Sequence, residues 1–164
     1  MMDNLANLLG DVQGFLALVT HSLEEDGMDV SGYELDHICY KVETAERYKY
    51  FQGELAHYGD LLTETPVGGR KISTYKLEEP ILFAGREIYC VELPFPKADQ
   101  TVVEGLQHAE FVIDIGFEEF MKMYPQLKFD QTKKSKLINP HIARNYNAFS
   151  VKFHHHSLEY VIKH

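Results

Sequence analysis

The stretch DHICYKV, residues 36–42, decides how this chain is interpreted, because a similar stretch, QHAEFVID, occupies residues 107–114. Each stretch resembles a β-strand with a histidine near its start, and each is followed by a helix-like segment. His37 is followed later by Glu92 in IYCVELPFP, and His108 is followed by Glu159 in SLEYVIKH, at a similar separation along the chain. Internal repetition of this kind predicts two copies of one structural unit.

The first copy has the pattern of a βαβββ module. Period-two alternation in its first strand, Leu35–Val42, puts His37 on one face together with Leu35, Cys39 and Lys41. The helix expected over residues 45–58 has Thr44 as its N-cap, and its apolar residues recur at helical spacing. Three short strands are then expected over residues 71–77, 81–83 and 87–93.

The second copy repeats this order and contains a polar loop after its helix. We expect a strand over residues 107–114, a helix over 117–124 and two strands over 148–153 and 157–163. A separate amphipathic helix over residues 5–23 precedes both copies. The predicted fold class is α+β, in which two tandem βαβββ modules form one curved mixed sheet around a cavity, with an extra N-terminal helix. The expected division is one domain over 1–164, with an extension at 1–30 and modules at 33–97 and 104–164.

Composition excludes several classes of function. The 164 residues carry a formal net charge of −9, which disfavours nucleic acid and anionic membrane surfaces as partners. The N-terminal residues lack the pattern of a signal peptide, and no stretch has the length of a transmembrane helix, so we expect a cytoplasmic protein. The two cysteines, Cys39 and Cys90, are expected to be free and buried.

Two histidines and two glutamates are a sufficient set of ligands for one divalent metal ion. If the modules pair with approximate two-fold symmetry, His37, Glu92, His108 and Glu159 would converge on the cavity. Each residue also has an ordinary explanation, because a strand histidine is often a hydrogen-bonded core residue and a glutamate near a turn often faces solvent. The repetition favours the metal site.

The order of these motifs resembles the vicinal oxygen chelate superfamily, which includes glyoxalase I, methylmalonyl-CoA epimerase and extradiol dioxygenases. The N-terminal helix and the stretch VKFHHHSLEYVI, residues 151–162, resemble the YecM-like branch. The resemblance implies a divalent metal ion (Zn, Ni, Mn, Fe or Mg) held at the positions of His37, Glu92, His108 and Glu159. It also implies that Glu92 and Glu159 are catalytic residues that move a proton.

The leading hypothesis is a metal-dependent isomerase, epimerase or lyase whose small oxygenated substrate chelates the ion. An Fe(II)-dependent dioxygenase, using only His37, His108 and Glu159, is the first alternative. A non-catalytic small-molecule binding protein of the same fold is the second. The expected partner is a small molecule, and the chain is expected to be a monomer or a homodimer.

Several other residues have open roles. Glu110 and Asp114 share the predicted face of His108 and would serve as hydrogen-bond acceptors, as a general base or as solvated carboxylates. Cys39 and Cys90 would line the pocket or pack as inert thiols. The adjacent imidazoles of residues 154–156 cannot all reach one ion, because consecutive strand residues point to opposite faces, so we expect an exposed hairpin tip. An anionic substrate group would be bound by cations or a tyrosine of the second module, namely Lys133, Lys134, Lys136, Arg144 and Tyr146.

Overall fold

The computed structural model describes residues 2–67 and 70–164; Met1 and the two glycines of the PVGG segment, Gly68 and Gly69, lie outside it. Seven strands form one mixed sheet in the order β2-β3-β4-β1-β5-β7-β6. The strands are β1 (Glu34–Lys41), β2 (Gly59–Val67), β3 (Arg70–Phe83), β4 (Arg86–Pro94), β5 (Gly105–Val112), β6 (His141–Asn145) and β7 (Ser150–His154). The helices are α1 (Met2–Leu9), α2 (Val12–Glu25), α3 (Ala45–Leu55), α4 (Phe117–Lys122) and α5 (Leu158–Lys163).

The first half of the sheet is a βαβββ unit made of β1, α3 and β2–β4. Thr44 caps α3 as predicted, because its hydroxyl accepts a hydrogen bond from the backbone N–H of Arg47. Phe51 of α3 packs on Tyr40 of β1, with ring centroids 4.6 Å apart, so the helix covers the apolar face of the strand. The strands predicted over 71–77 and 81–83 are one continuous strand, β3, and β2 was not predicted from the sequence.

The second half has the same order, but its first outer strand is reduced to a single bridge between Asp130 and Ala143. The closing strand is β7, which ends at His154. The expectation of a strand over residues 157–163 is wrong, because this segment forms the short helix α5. Ser157 caps that helix by accepting a hydrogen bond from the backbone N–H of Tyr160.

The N-terminal segment also differs from the expected single helix. Gly10 adopts a φ of +88°, which favours glycine and interrupts the helix after α1. Asp11 then caps α2 by accepting a hydrogen bond from the backbone N–H of Gly14. The buried side of α2, which includes Leu16, Val19 and Leu23, joins the core beneath the sheet.

Strand register shows how the two halves correspond. His37 of β1 pairs with Glu110 of β5, and Cys39 pairs with His108, so the central pair of strands is symmetric about their midpoint. The last strand of each half pairs in parallel with the first. Cys39 lies opposite Glu92 in the first half, and Glu110 lies opposite Lys152 in the second. Register therefore makes His37 equivalent to His108, Cys39 to Glu110, and Glu92 to Lys152.

Two bulges interrupt the central pair of strands at equivalent places. The register shifts between Leu35 and His37 leave Asp36 as an extra residue on β1, and the shift opposite Cys39 and Tyr40 leaves Gln107 as an extra residue on β5. Each extra residue directly precedes a histidine. Simple alternation failed here, because it placed Leu35 on the face of His37, whereas Leu35 pairs with Phe111 and joins the apolar core.

The predicted fold class is confirmed: the chain is α+β, with one mixed sheet whose polar face borders a cavity and whose apolar face is covered by helices. Buried apolar side chains of the four central strands form that second face, among them Ile38, Val91, Phe111 and Val151. No helix in the described ranges combines the length and the apolar character needed to cross a membrane.

Candidate metal centre

A cavity of about 570 Å³ lies on the polar face of the sheet. Glu92, His108 and Glu110 line its floor together with Cys39 and Lys152. These residues come from four adjacent strands, β4, β1, β5 and β7, at neighbouring register positions. His37 pairs with Glu110 across the central strands, is fully buried and does not itself line the cavity. The structure thus brings three of the four predicted ligands, His37, Glu92 and His108, to one place.

The two bulges orient the histidines. Asp36 Oδ2 lies 2.8 Å from His37 Nδ1, and Gln107 Oε1 lies 2.8 Å from His108 Nδ1. An ionised carboxylate and an amide oxygen are acceptors only, so each Nδ1 carries the proton and donates it. In the neutral form of each imidazole, the lone pair is then on Nε2. This is the arrangement found around metal-bound histidines, where an acceptor fixes the tautomer and the ring orientation.

Nε2 of each histidine lies close to carboxylate oxygens. Among the described residues, Nε2 of His37 and Nε2 of His108 are buried and have no hydrogen-bond partner. Glu110 Oε1 lies 3.4 Å from the first nitrogen and 3.6 Å from the second, and Glu92 Oε1 lies 3.6 Å from the second. Ligand atoms of a tetrahedral ion with bonds of about 2.1 Å are about 3.4 Å apart. These contacts lie near that spacing, and the ligand atoms of His37, Glu92 and His108 all lie within 4.8 Å of one another.

The charges of the cluster favour a cation as well. Burial disfavours the charged form of His37, but Glu110, Asp36 and Glu92 outweigh this effect and raise its pKa well above the usual value. Burial also opposes the ionised form of Glu110, yet His37 and His154 lower its pKa well below the usual range. Two carboxylates at the centre thus hold a positive charge between them. Because metal ions and protons compete for the same lone pairs, a site that holds a proton so firmly also suits a cation.

The equivalent histidine, His108, has the opposite shift. Burial and the nearby Lys152 lower its pKa to about 4, although Glu110 and Glu92 act in the other direction. Its imidazole is therefore neutral at pH 7, which is the form that binds metal. Glu92 remains ionised, because His37 and His108 outweigh the effect of burial and lower its pKa.

A second group of potential ligands, Asp36, His37 and His154, lies behind the first. Its members do not line the cavity, and they already contact one another: His154 Nε2 lies 3.5 Å from Asp36 Oδ2. The same oxygen accepts a hydrogen bond of 2.9 Å from the backbone N–H of Leu158 at the start of α5. This group supports the orientation of His37 and connects α5 to it.

Glu159 does not reach the cluster. It lies on α5, where its Oε2 is 3.0 Å from Lys76 Nζ and 2.7 Å from Lys163 Nζ, so its carboxylate is paired with lysines. The sequence interpretation matched Glu159 to Glu92 because it assigned the closing strand to residues 157–163. Register instead makes Lys152 of β7 the equivalent of Glu92. The second carboxylate of the cluster is Glu110, on the first strand of its half.

The structure shows what contacts the residues whose roles the sequence left open. Arg144 Nε lies 2.8 Å from Asp26 Oδ2, which also accepts a hydrogen bond from Tyr146, so these two residues hold the end of α2 rather than the cavity. Lys134 is paired with Glu118, whereas its neighbours at positions 133 and 136 line the cavity. Both cysteines are free and buried, as expected, and Asp114 is exposed beyond the end of β5.

The three consecutive histidines have three different environments. His154 is fully buried, with its ring centroid 5.8 Å from that of His37, so the expectation of an exposed tip is wrong for this residue. Its Nδ1 lies 2.8 Å from Glu110 Oε2 and 2.9 Å from Asn139 Oδ1. His155 stacks on Phe117, and His156 is exposed. The available signal for His154 was the alternation of strand side chains, which puts it on the same face as Ser150 and Lys152.

Comparison with known proteins agrees with this architecture. A family model described as YecM protein matches residues 4–164. Protein YecM of Escherichia coli (strain K12) is 27% identical over 179 aligned residues, which cover 98% of this chain and 94% of that protein. An uncharacterized protein of Haemophilus influenzae (strain Rd) is 34% identical over 113 residues, or 69% of this chain. The match spans only 59% of the length of that relative.

Solved structures of the same fold include two kinds of protein. One, titled Structural Genomics, Protein EC4020, superposes with a TM-score of 0.72 and 25% identity, covering 94% of this chain and 93% of the other. A variant methylmalonyl-CoA epimerase of Streptomyces coelicolor superposes with a TM-score of 0.53 and 13% identity, covering 76% and 97%. The second likeness shows the fold alone. By the extent of the family match, this chain belongs to the YecM protein family.

Proposed function

We propose that this chain is a divalent-metal-dependent enzyme of the isomerase or epimerase type, acting on a small oxygenated substrate in the cavity. The observation that carries the proposal is the pair of buried Nε2 atoms of His37 and His108, which have no hydrogen-bond partner among the described residues and lie 3.4–3.6 Å from carboxylate oxygens of Glu92 and Glu110. A buried polar atom without a partner costs about 1–3 kcal/mol, so such a pair is retained where something else binds it.

His37, His108, Glu110 and Glu92 are the residues that would hold the ion. A divalent ion bound there would supply Lewis-acid polarisation of the substrate oxygens. Two carboxylates would balance its charge, and Asp36 and Gln107 would keep the imidazoles aimed at it. Because a metal site of this kind depends on such hydrogen-bonded partners, the bulge residues are part of the proposed machinery.

Glu92 is the residue proposed to move the proton. Its side chain is 16% exposed, against 4% for Glu110, and it lines the cavity, so a bound substrate can reach its carboxylate. The lowered pKa of Glu92 keeps it ionised and able to accept a proton from a carbon beside a carbonyl group. Cys39 next to it is no competing base, because burial raises the pKa of its thiol well above the usual value.

Two measurements test the proposal. Elemental analysis of protein purified without chelators should find about one equivalent of a divalent metal. The metal-loaded protein, incubated in deuterated water with 2-hydroxy ketones and 2-substituted malonyl thioesters, should exchange the hydrogen beside the carbonyl, as followed by nuclear magnetic resonance. Glu92→Gln should lower the exchange rate at least about a hundredfold, since general base catalysis contributes 10²–10⁴. Absence of bound metal, with none taken up on addition, would contradict the proposal.

An oxygenase is a second candidate, because His37, Glu92 and His108 form a group of two histidines and one carboxylate. That set is characteristic of non-haem Fe(II) oxygenases. Oxygen consumption by the Fe(II)-loaded protein separates the two functions. An oxygenase would consume oxygen with a bound substrate and would not exchange substrate hydrogen, whereas the proposed isomerase would show the reverse behaviour.

A further inference from the structure

Positive charge is concentrated on the walls of the cavity. The chain has 16 lysines and arginines and a net charge of −9, yet six of these cations line this one cavity. They are Lys41, Arg70, Lys97, Lys133, Lys136 and Lys152. The carboxylates of the lining are Glu92, Glu110 and Asp130. With Glu92 and Glu110 balanced by a divalent ion, six positive charges face a single negative one.

These six cations have no acidic partner in the part of the chain that the structure describes, at residues 2–67 and 70–164. Cations elsewhere behave differently: Lys76, Lys134 and Arg144 each lie within 3.0 Å of a carboxylate oxygen. Lys134 is the most instructive case, because it stands in the same loop as Lys133 and Lys136 but turns away to Glu118. This loop thus carries one lysine that is paired with a carboxylate and two lysines that line the cavity without an acidic partner.

Lys152 is central to this arrangement. It lies at the register position equivalent to Glu92, so the second half places an ammonium group where the first half places a carboxylate. Burial and the neighbouring Arg70, Lys152 and Lys97 lower the pKa of Lys41. Burial, Lys152 and Lys133 likewise lower the pKa of Lys136. The ammonium groups are therefore close enough to repel one another, and an anion between them would relieve that repulsion.

We infer that this wall, with Lys152 and Lys136 at its inner part, is a binding site for a small organic anion carrying carboxylate or phosphate groups. The inference rests on the proposed function for the position of the reacting carbon, and it assigns the chemical class of the substrate. The anionic group binds the lysines of β7 and of the 131–140 loop, while the neighbouring oxygens of the substrate approach the histidines and Glu92.

The dimensions and the overall charge support a small anion over a polymer. Cavities of roughly 300–1,000 Å³ suit small molecules and cofactors, and this one measures about 570 Å³. A nucleic acid would meet the remaining acidic surface, whereas a small anion would enter only the positive cavity.

The test is isothermal titration calorimetry with malonate and with inorganic phosphate, on the protein as purified and after treatment with a chelator. The variants are Lys152→Gln, Lys136→Gln and the matched control Lys134→Gln, which removes the same charge from the same loop. Metal content and thermal melting are measured for each. Hydrogen bonds to charged groups contribute about 1.5–3 kcal/mol, so Lys152→Gln and Lys136→Gln should each weaken binding at least about tenfold. Lys134→Gln should bind within about twofold of the parent.

The outcomes separate this inference from the proposed function. Lysine-dependent binding that persists in the chelator-treated protein supports the inference, and the tighter of the two anions identifies the group that the wall recognises. If no metal is found but this binding remains, the proposed function fails and the anion site stands. Equal binding by all variants, equal weakening by Lys134→Gln and Lys136→Gln, or loss of binding on chelation would overturn the inference, even if the metal is present.

Discussion

The two halves of the sheet share a backbone arrangement but distribute their charged groups differently. In the first half, the carboxylate near the centre is Glu92, on the last strand, and the equivalent place in the second half holds Lys152. In the second half the carboxylate is Glu110, on the first strand, where the first half has Cys39. Only the histidine position is the same in both. The two halves thus have equivalent positions on the cavity face, but the carboxylate near the centre comes from β4 in the first half and from β5 in the second.

The hydrogen-bond acceptors behind the histidines differ in the same way. Asp36 is a carboxylate held between His37, His154 and α5, whereas Gln107 is a neutral amide that contacts His108. An ionised acceptor makes an imidazole more basic than an amide does. In the proposed function, the first half would therefore supply the more basic histidine, and the second half would supply Lys152 as the cation that faces the substrate.

The largest expected effect on metal affinity comes from removing one of the two histidines that occupy equivalent positions in the halves. His37→Ala and His108→Ala should each lower the affinity for a divalent metal by more than about a hundredfold, because each deletes a proposed ligand. Titration calorimetry with Zn²⁺ and with Mn²⁺ measures the change. His57→Ala is the control, since this exposed histidine lies outside the cavity. Retention of full affinity by either variant would contradict the assigned centre.

The next prediction compares Glu110 and Glu159, the two glutamates of the second half that are candidate metal ligands. Glu110→Gln should weaken metal binding at least about tenfold, because it removes a charge from the centre. Glu159→Gln should leave metal affinity unchanged and should alter the free energy of unfolding by less than about 1 kcal/mol, since its ion pairs with Lys76 and Lys163 are largely exposed. If calorimetry shows weaker metal binding for Glu159→Gln than for Glu110→Gln, Glu159 would be a metal ligand after all and the assignment of Glu110 would be wrong.

A smaller difference is expected between the two bulge residues. Asp36→Asn should weaken metal binding by about 10–100-fold, and Gln107→Leu should do so by about tenfold at most, because a carboxylate strengthens its histidine more than an amide does. Thermal melting without metal shows whether each variant still folds. Equal losses would mean that the charge of the acceptor is unimportant and that only its position matters.

A difference in stability, not in metal affinity, is expected at His141, which the strand register places where the first half has Ile72. Burial and Lys152 lower the pKa of His141 to about 4 from an ordinary value near 6.5. Between these two values the unfolded chain binds a proton that the folded chain does not, so the free energy of unfolding falls as the pH is lowered through this window. His141→Ile should reduce that loss between pH 7 and 4.5 by about 2 kcal/mol in urea denaturation. An unchanged pH profile would show that His141 is not the responsible group.

Much of this molecule could be predicted from its sequence. Repetition and alternation indicated the fold class, the cap at Thr44 and the grouping of His37, Glu92 and His108. Bulges could not be predicted, because alternation carries no information about an inserted residue such as Asp36. The helix α5 was mistaken for a strand, since a short apolar run fits both, although a capping serine followed by a glutamate favours a helix. That single error grouped Glu159 with the histidines, whereas the structure places Glu110 beside them.

The contact between Leu158 and Asp36 has a spectroscopic consequence. The backbone N–H of Leu158 donates to the same carboxylate oxygen that holds His37 Nδ1, so this amide shares its acceptor with a proposed ligand. A change in electron density on the imidazole should pass through the carboxylate to the amide proton. Its chemical shift in a ¹⁵N-correlated spectrum should therefore follow the loading of the site, and α5 would act as an internal reporter that needs no label beyond nitrogen.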